Sequence, residues 1–211
     1  MKKSYINTAN VLTFSRILLG FVFLLLFVIS KQKNLSYSSI FIIEIISLFV
    51  FIIAIITDAL DGYFARKENQ VTEFGKHFDP LADSIFFIIV FAAFFYLKLM
   101  PWFFLILIIL REAFMHIYLR PYFKSKGIYL PANIYGKIKT IFQSIFSLAI
   151  LGFLIFESFL VAFYNLDDSK IAVFNVYLNT VSFIFFGIIA FLSLFSLLIY
   201  LLKFKQTFNK K

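Results

Sequence analysis

Six stretches of this chain, roughly residues 11–30, 38–60, 79–97, 100–119, 138–160 and 175–202, are apolar for close to the length needed to cross a bilayer. A helix needs about 20 residues to span the hydrocarbon. Backbone groups inside lipid find no water, so each stretch must satisfy its own N–H and C=O groups, and helix is the form that does so within one segment. At 62% hydrophobic, with 33 phenylalanines, the chain lies far above a soluble domain, where roughly 45–50% is usual. The expected fold is an all-α integral membrane protein with six transmembrane helices. Connections are short and there is neither a Pro- or Ser-rich linker nor an internal repeat, so residues 1–211 read as one domain. The first apolar run is long, starts early and lacks a small-residue cleavage site, which reads as a retained span. Some helices should continue past the apolar zone into water, and the polar residues before the first span leave room for a short interfacial N-terminal helix.

The formal charge of +9 admits two readings, nucleic acid or the cytoplasmic flank of membrane spans, and placement separates them. Six spans put both termini on one side. Lys2, Lys3, Arg66, Lys67, Lys76, Arg120, Lys124, Lys126, Lys137, Lys139, Lys203, Lys205, Lys210 and Lys211 fall on that side, and Lys31, Lys33, Lys98 and Lys170 on the other. Fourteen against four makes the first side cytoplasmic and removes the need for a nucleic-acid partner. Arg16 and Arg111 remain inside spans. No cysteine occurs, so thiolate ligands, thiol nucleophiles and disulfides are excluded.

Four of only eleven acidic residues, Asp58, Asp61, Asp79 and Asp83, stand where the second span ends and the third begins. Residues three and four apart share a helix face, so each pair aims two carboxylates at one point. Acidic caps on two helix ends would explain one pair at most. Four convergent carboxylates near a membrane need compensating charge. Two divalent cations, Mg or Mn, suit oxygen ligands and can clamp the oxygens of a phosphoryl displacement. Gly62, Ala65 and Gly75 are small neighbours that let a ligand approach the backbone.

Read as a pattern, the stretch is D-x-x-D-G-x-x-A-R, eight residues, G, three residues, D, three residues, D, at Asp58, Asp61, Gly62, Ala65, Arg66, Gly75, Asp79 and Asp83. This resembles the signature of the CDP-alcohol phosphatidyltransferase family, with every position and interval present. The resemblance implies that Asp58, Asp61 and Asp79 are metal ligands and that Asp83 is both a ligand and the base. It also implies that Gly62, Ala65, Arg66 and Gly75 hold the cytidine and its phosphates. An acceptor hydroxyl would then attack the lipid-side phosphorus of a CDP-linked lipid, and CMP would leave.

Two further segments bear on the acceptor. Asn7, Asn10, Thr13 and Arg16 recur every three residues, similar to the N-terminal segment of bacterial phosphatidylglycerophosphate synthases; this implies that Asn10 and Thr13 contact the CDP-lipid. The plain alternative is a polar stripe on an entering helix. Arg111, Glu112, Gly136, Lys137, Lys139, Thr140 and Gln143 look like two more segments of those synthases, implying that Arg111, Arg120, Lys137 and Lys139 bind an acceptor phosphate. Arg120 stands nine residues after Arg111 where eight is usual, and Lys137 and Lys139 can also be read as ordinary positive-inside residues. Together these resemblances imply transfer of phosphatidyl from CDP-diacylglycerol to sn-glycerol 3-phosphate. They also imply a bacterial cytoplasmic membrane and a homodimer, and the distribution of basic residues puts both termini and the aspartate motif toward the cytoplasm. Serine, inositol phosphate or a phospholipid as acceptor remains open, as does a divalent-cation transporter, although a conduction path should carry polar groups to the far side.

The remaining polar residues read more simply. His77 lies off the Asp79 face, and His116 stands alone within the fourth span, so neither reads as a ligand. Lys124 and Lys126 read as a solvated loop or as part of the basic connection from Arg120 to Lys137, and Asp167 and Asp168 as a solvated loop on the other side. Glu44, buried in an apolar span, is expected to pair with Arg16 or Arg111, because a lone charge there is costly. The aromatic residues read as lipid-facing bulk and packing.

Overall fold

The computed structural model describes residues 8–32, 34–67, 73–127, 134–164 and 167–208, with side chains described over 12–32, 34–58, 78–127, 134–164, 167 and 169–205. Among these residues the regular elements are helical: α1 (Thr8–Ser30), α2 (Tyr37–Lys67), α3 (Glu73–Tyr96), α4 (Trp102–Ala113), a π-helical segment (Phe114–Leu119), α5 (Arg120–Ser125), α6 (Ile134–Tyr164) and α7 (Asp168–Phe208). Among the described residues six helical stretches are long and apolar enough to cross a membrane: Leu12–Ser30, Tyr37–Asp58, Phe78–Tyr96, Trp102–Ser125, Ile134–Tyr164 and Ser169–Lys205. Each matches one of the six stretches expected from the sequence. Large apolar side chains such as Leu18, Ile117, Tyr177 and Phe191 cover the outside, as a lipid-facing surface requires.

The fourth span runs further than its apolar run suggests. The sequence reads as a span over 100–119 and then a loop, yet helix continues through the π-helical segment into α5. Pro121 occupies the first turn of α5, where a missing N–H is tolerated. The connection to the fifth span therefore shortens, and α6 opens early enough to carry Gly136, Lys137 and Lys139 on its first turns. Past the apolar core, Met115, Leu119 and Phe123 pack on Tyr200 of α7 and extend the bundle at this end.

The spans close a ring in the order α3, α1, α2, α6, α7, α4, each packed on the next and α4 on α3. Among them α3 is the most enclosed, with 44% of its apolar window buried against 22–33% for the others. Lipid tails are as apolar as the helices, so close packing, rather than flight from water, holds such spans together. Ala54, Ala82 and Ala93 are fully buried between helices, and Phe23, Phe27, Phe51, Phe86, Phe91 and Phe94 fill the interior. At Gly20 a Cβ would lie 3.1 Å from the Phe86 ring, so α1 meets α3 here at a distance that suits glycine. One turn earlier on α1 is Arg16, and three residues before Phe86 is Asp83; the tight crossing sets these two against each other.

Glu44 does not meet Arg16 or Arg111. It lies near the opposite end of the bundle from both, and its Oε1 is 2.6 Å from Lys31 Nζ, just past the end of α1. The buried charge does have a cationic partner, but the direction of travel of α2 puts Glu44 at the end where α1 finishes.

Candidate active site

Three helices, α2 antiparallel to α1 and α3, bring the acidic motif together. Asp58 lies on α2, and Asp79 and Asp83 lie one turn apart on α3. The Thr13 hydroxyl of α1 donates to Asp79 Oδ1 at 2.9 Å. One guanidinium nitrogen of Arg16 lies 2.8 Å from Asp58 Oδ1 and also donates to Asp83 Oδ1. Arg16 is 1% exposed and Thr13 is fully buried, whereas the Asp58 side chain is half exposed at the end of the bundle. A single buried cation thus holds carboxylates of two helices close together. The side chains of Asn10, Asp61, Gly62, Ala65, Arg66, Gly75 and His77, and all of Asn7, lie outside the described residues.

A second polar cluster adjoins the first through Ser84, the residue after Asp83. Glu112 of α4 is its hub. Lys139 of α6 donates to Glu112 Oε1 at 2.6 Å, Arg111 donates to the same oxygen at 2.8 Å, and Ser84 donates to Oε2 at 2.8 Å. All three of Glu112, Arg111 and Lys139 are buried. Arg111 is anchored on α7 as well, donating to the Ser193 carbonyl at 3.2 Å and to Ser196 Oγ at 3.1 Å. His116 is not alone: its Nε2 is 3.1 Å from Ser84 Oγ and 3.9 Å from Glu112 Oε2. Sequence reasoning assigned no part to Ser84, Ser193 or Ser196. Their only signal was polarity at positions that an apolar helix would otherwise fill.

Two cavities meet at Asp83. The first, about 190 Å³, is lined by Asp83, Ser84, Arg111, Glu112, Arg120, Lys137 and Lys139. All four basic residues assigned to the acceptor phosphate border this one space, including Arg120 despite its displaced position. Four cations against two carboxylates give the lining a net positive charge suited to an anion. The second, about 280 Å³, is bordered by Arg16, Asp58 and Asp83 and otherwise mostly by apolar side chains of α2, α3 and α6, among them Ile55, Phe86 and Ile145. Asp83, Phe87 and Thr140 form the wall common to both.

Among the described residues no group of three or more His, Asp or Glu side chains is spaced to hold a metal ion. The donor chemistry nonetheless fits hard divalent cations: Asp58 and Asp83 converge on one point of positive charge, and Asp79 stands one turn away on α3. Carboxylate oxygens are the ligands Mg and Mn prefer.

A sequence model of the CDP-alcohol phosphatidyltransferase family matches residues 6–204. The chain is 43% identical over 104 residues to a Mycoplasma pneumoniae protein named CDP-diacylglycerol–glycerol-3-phosphate 3-phosphatidyltransferase, covering 47% of this chain and 45% of that protein. Proteins of the same name from Bacillus subtilis and Rickettsia felis are 36% and 34% identical, each over 148 residues and 69% of this chain, and the matches cover 76% and 74% of those proteins. The match thus spans less than half of the Mycoplasma protein and about three quarters of the other two.

Proposed function

The chain belongs to the CDP-alcohol phosphatidyltransferase family, and on that premise we propose that it transfers the phosphatidyl group of CDP-diacylglycerol to sn-glycerol 3-phosphate, forming phosphatidylglycerophosphate and CMP. The observation that carries this reading is the position of Asp83 on the wall between a cationic cavity and a carboxylate-bearing, largely apolar one. A small phosphorylated alcohol suits the first, and a lipid-linked diphosphate suits the second.

Two Mg or Mn ions, held by Asp58, Asp61, Asp79 and Asp83, would supply Lewis-acid charge for the diphosphate. Gly62, Ala65, Arg66 and Gly75, with Asn10 and Thr13, are assigned to the CDP-lipid by the family pattern. Lys137 and Lys139 open α6 beside Arg111 and Arg120, and their charges fix the acceptor phosphate. This orients a free hydroxyl of the acceptor toward Asp83. Asp83 takes the hydroxyl proton as the new P–O bond forms at the lipid-side phosphorus. The bond from that phosphorus to the oxygen of CMP breaks, and CMP carries away the electron pair. Glu112 touches none of the reacting atoms; it keeps Lys139 and Arg111 in place.

The same reading puts the protein in a bacterial cytoplasmic membrane with both termini and the motif toward the cytoplasm, as the fourteen-to-four distribution of basic residues favours. The chain has no cysteine, so single cysteines at Lys124 and Lys98 can report sidedness through a membrane-impermeant maleimide. Labelling of Lys124→Cys in intact cells would contradict this orientation. The family resemblance also implies a homodimer, which cross-linking in membranes tests.

The deciding experiment incubates purified protein with CDP-diacylglycerol, Mn or Mg, and labelled glycerol 3-phosphate, serine, inositol phosphate or a phospholipid. Glycerol 3-phosphate should be the preferred acceptor. Equal or better turnover with serine would sink the assignment, because free serine has no use for a cavity with this surplus of cations.

A further inference from the structure

A third cavity, about 370 Å³, lies at the end of the bundle away from the motif, where α1, α2, α6 and α7 meet. Glu44 and Glu157 line it, and Asn175 stands beside Glu157 as its hydrogen-bond donor. Glu44 is seven residues into α2, Glu157 seven residues before the end of α6, and Asn175 seven residues into α7, which puts each about 10 Å below the helix ends at the rise of an α-helix. Ionisable groups at such depth in a membrane protein are costly and are retained where they do something. None of these residues contributes to phosphatidyl transfer as described above.

Glu44 is 1% exposed and borders this cavity; its Oε1 is held by Lys31 while its Oε2 is buried without a hydrogen-bond partner. A buried carboxylate oxygen left in this state carries a desolvation cost that a bound donor would remove. Glu157 receives one hydrogen bond, from Asn175 at 3.2 Å, which leaves most of the acceptor capacity of a carboxylate. The hydroxyls of Ser30 and Ser158 give their protons to the carbonyls of Phe27 and Ile155, so toward the cavity they offer lone pairs. Two carboxylates against the one ammonium of Lys31 make this lining anionic and rich in acceptors.

We infer that this cavity is a second ligand site, and that it takes a primary ammonium group carried on a short aliphatic body. Three N–H donors suit a lining whose acceptors are the Glu44 and Glu157 carboxylates and the Ser158 hydroxyl, while Leu35, Ile40 and Val161 offer an apolar wall to the carbon chain. A divalent ion fits less well. It seeks six or more oxygens, the carboxylates number two, and Lys31 already stands 2.6 Å from one of them. The ammonium can come from a free amine or from an amine-bearing lipid headgroup of the adjacent leaflet.

Thermal unfolding of the intact protein in phosphatidylglycerol nanodiscs tests this with four probes: free ethanolamine, phosphatidylethanolamine in the disc, and their choline counterparts, which lack N–H donors. Ethanolamine or its lipid should raise the midpoint, and whichever does so identifies the source. Glu157→Gln should weaken the response at least about tenfold in ligand concentration, the effect of losing a charge-assisted hydrogen bond, with phosphatidyl transfer unchanged as proof of folding. Lys31→Met, which removes the resident cation, should strengthen it. No response to either amine, an equal response to choline, an undiminished response in Glu157→Gln, or a weaker one in Lys31→Met would each overturn the proposal. So would a midpoint rise with Mg alone that Glu157→Gln abolishes, since it would mark a divalent-ion site.

Discussion

Lys139 Nζ lies 2.6 Å from Glu112 Oε1, with both side chains buried between α4 and α6. Arg111 shares the same carboxylate oxygen, so one anion offsets two cations that are largely buried. Removing one partner of a buried ion pair leaves an uncompensated charge, at a cost of about 3–5 kcal/mol. Glu112→Gln keeps the shape and removes the charge, and the thermal unfolding midpoint in detergent should fall accordingly. Glu112→Asp should recover part of the loss. A midpoint equal to that of the unaltered protein would show that the two cations do not depend on Glu112.

Lys137 and Lys139 border the same cavity but differ in what holds them. Lys137 is exposed, whereas Lys139 is buried and bound to Glu112. Lys137→Ala should therefore raise the KM for glycerol 3-phosphate by about tenfold or more, the scale of one hydrogen bond to a charged group, and leave the unfolding midpoint where it was. Lys139→Ala should lose both acceptor affinity and stability. If Lys137→Ala left acceptor KM unaltered, its role would reduce to that of a positive-inside residue.

The two lysines also show what the sequence could and could not reveal. Span positions were readable because lipid admits one solution for a 20-residue apolar run, and the aspartate pairs were readable because helix periodicity puts each on one face. The pairing of Arg111 with Ser193 and Ser196 was not, since those partners lie 82 and 85 residues away on a helix whose neighbours depend on the ring order. Glu44 was assigned the wrong cation for the same reason: burial demands a partner but does not say which helix supplies it. The helix through Pro121 was hidden because the π-helical segment before it has no local signature.

Asp83 is the residue whose loss should separate chemistry from folding. In Asp83→Asn the side-chain shape persists, Arg16 keeps its contact with Asp58, and the proton acceptor is gone. CMP release should fall by at least about 100-fold, within the range for loss of a general base, while insertion and the unfolding midpoint stay near those of the parent protein. CMP release at the parental rate would refute the role assigned to Asp83.

Arg16 makes the last prediction, because it stands where the positive charge of a metal is also expected. Its guanidinium lies between Asp58 of α2 and Asp83 of α3 and is itself almost fully buried. Without a metal, those carboxylates would repel each other across the helix contact if the guanidinium were removed. Arg16→Gln keeps a polar, shorter side chain and deletes the charge. In EDTA this variant should unfold earlier than the parent by about 1–3 kcal/mol, less than for a fully buried pair because Asp58 is half exposed. Added Mn should close most of that gap, since a bound cation then does what the arginine did. The parent, which carries its own cation, should show a smaller difference between EDTA and Mn. Calorimetry in both conditions gives the four midpoints required. If Arg16→Gln melts alike in EDTA and in Mn, the aspartates do not depend on cationic compensation at this point. If the variant is destabilised equally in both, Arg16 acts as a packing element, and its contacts with Asp58 and Asp83 are incidental to metal binding.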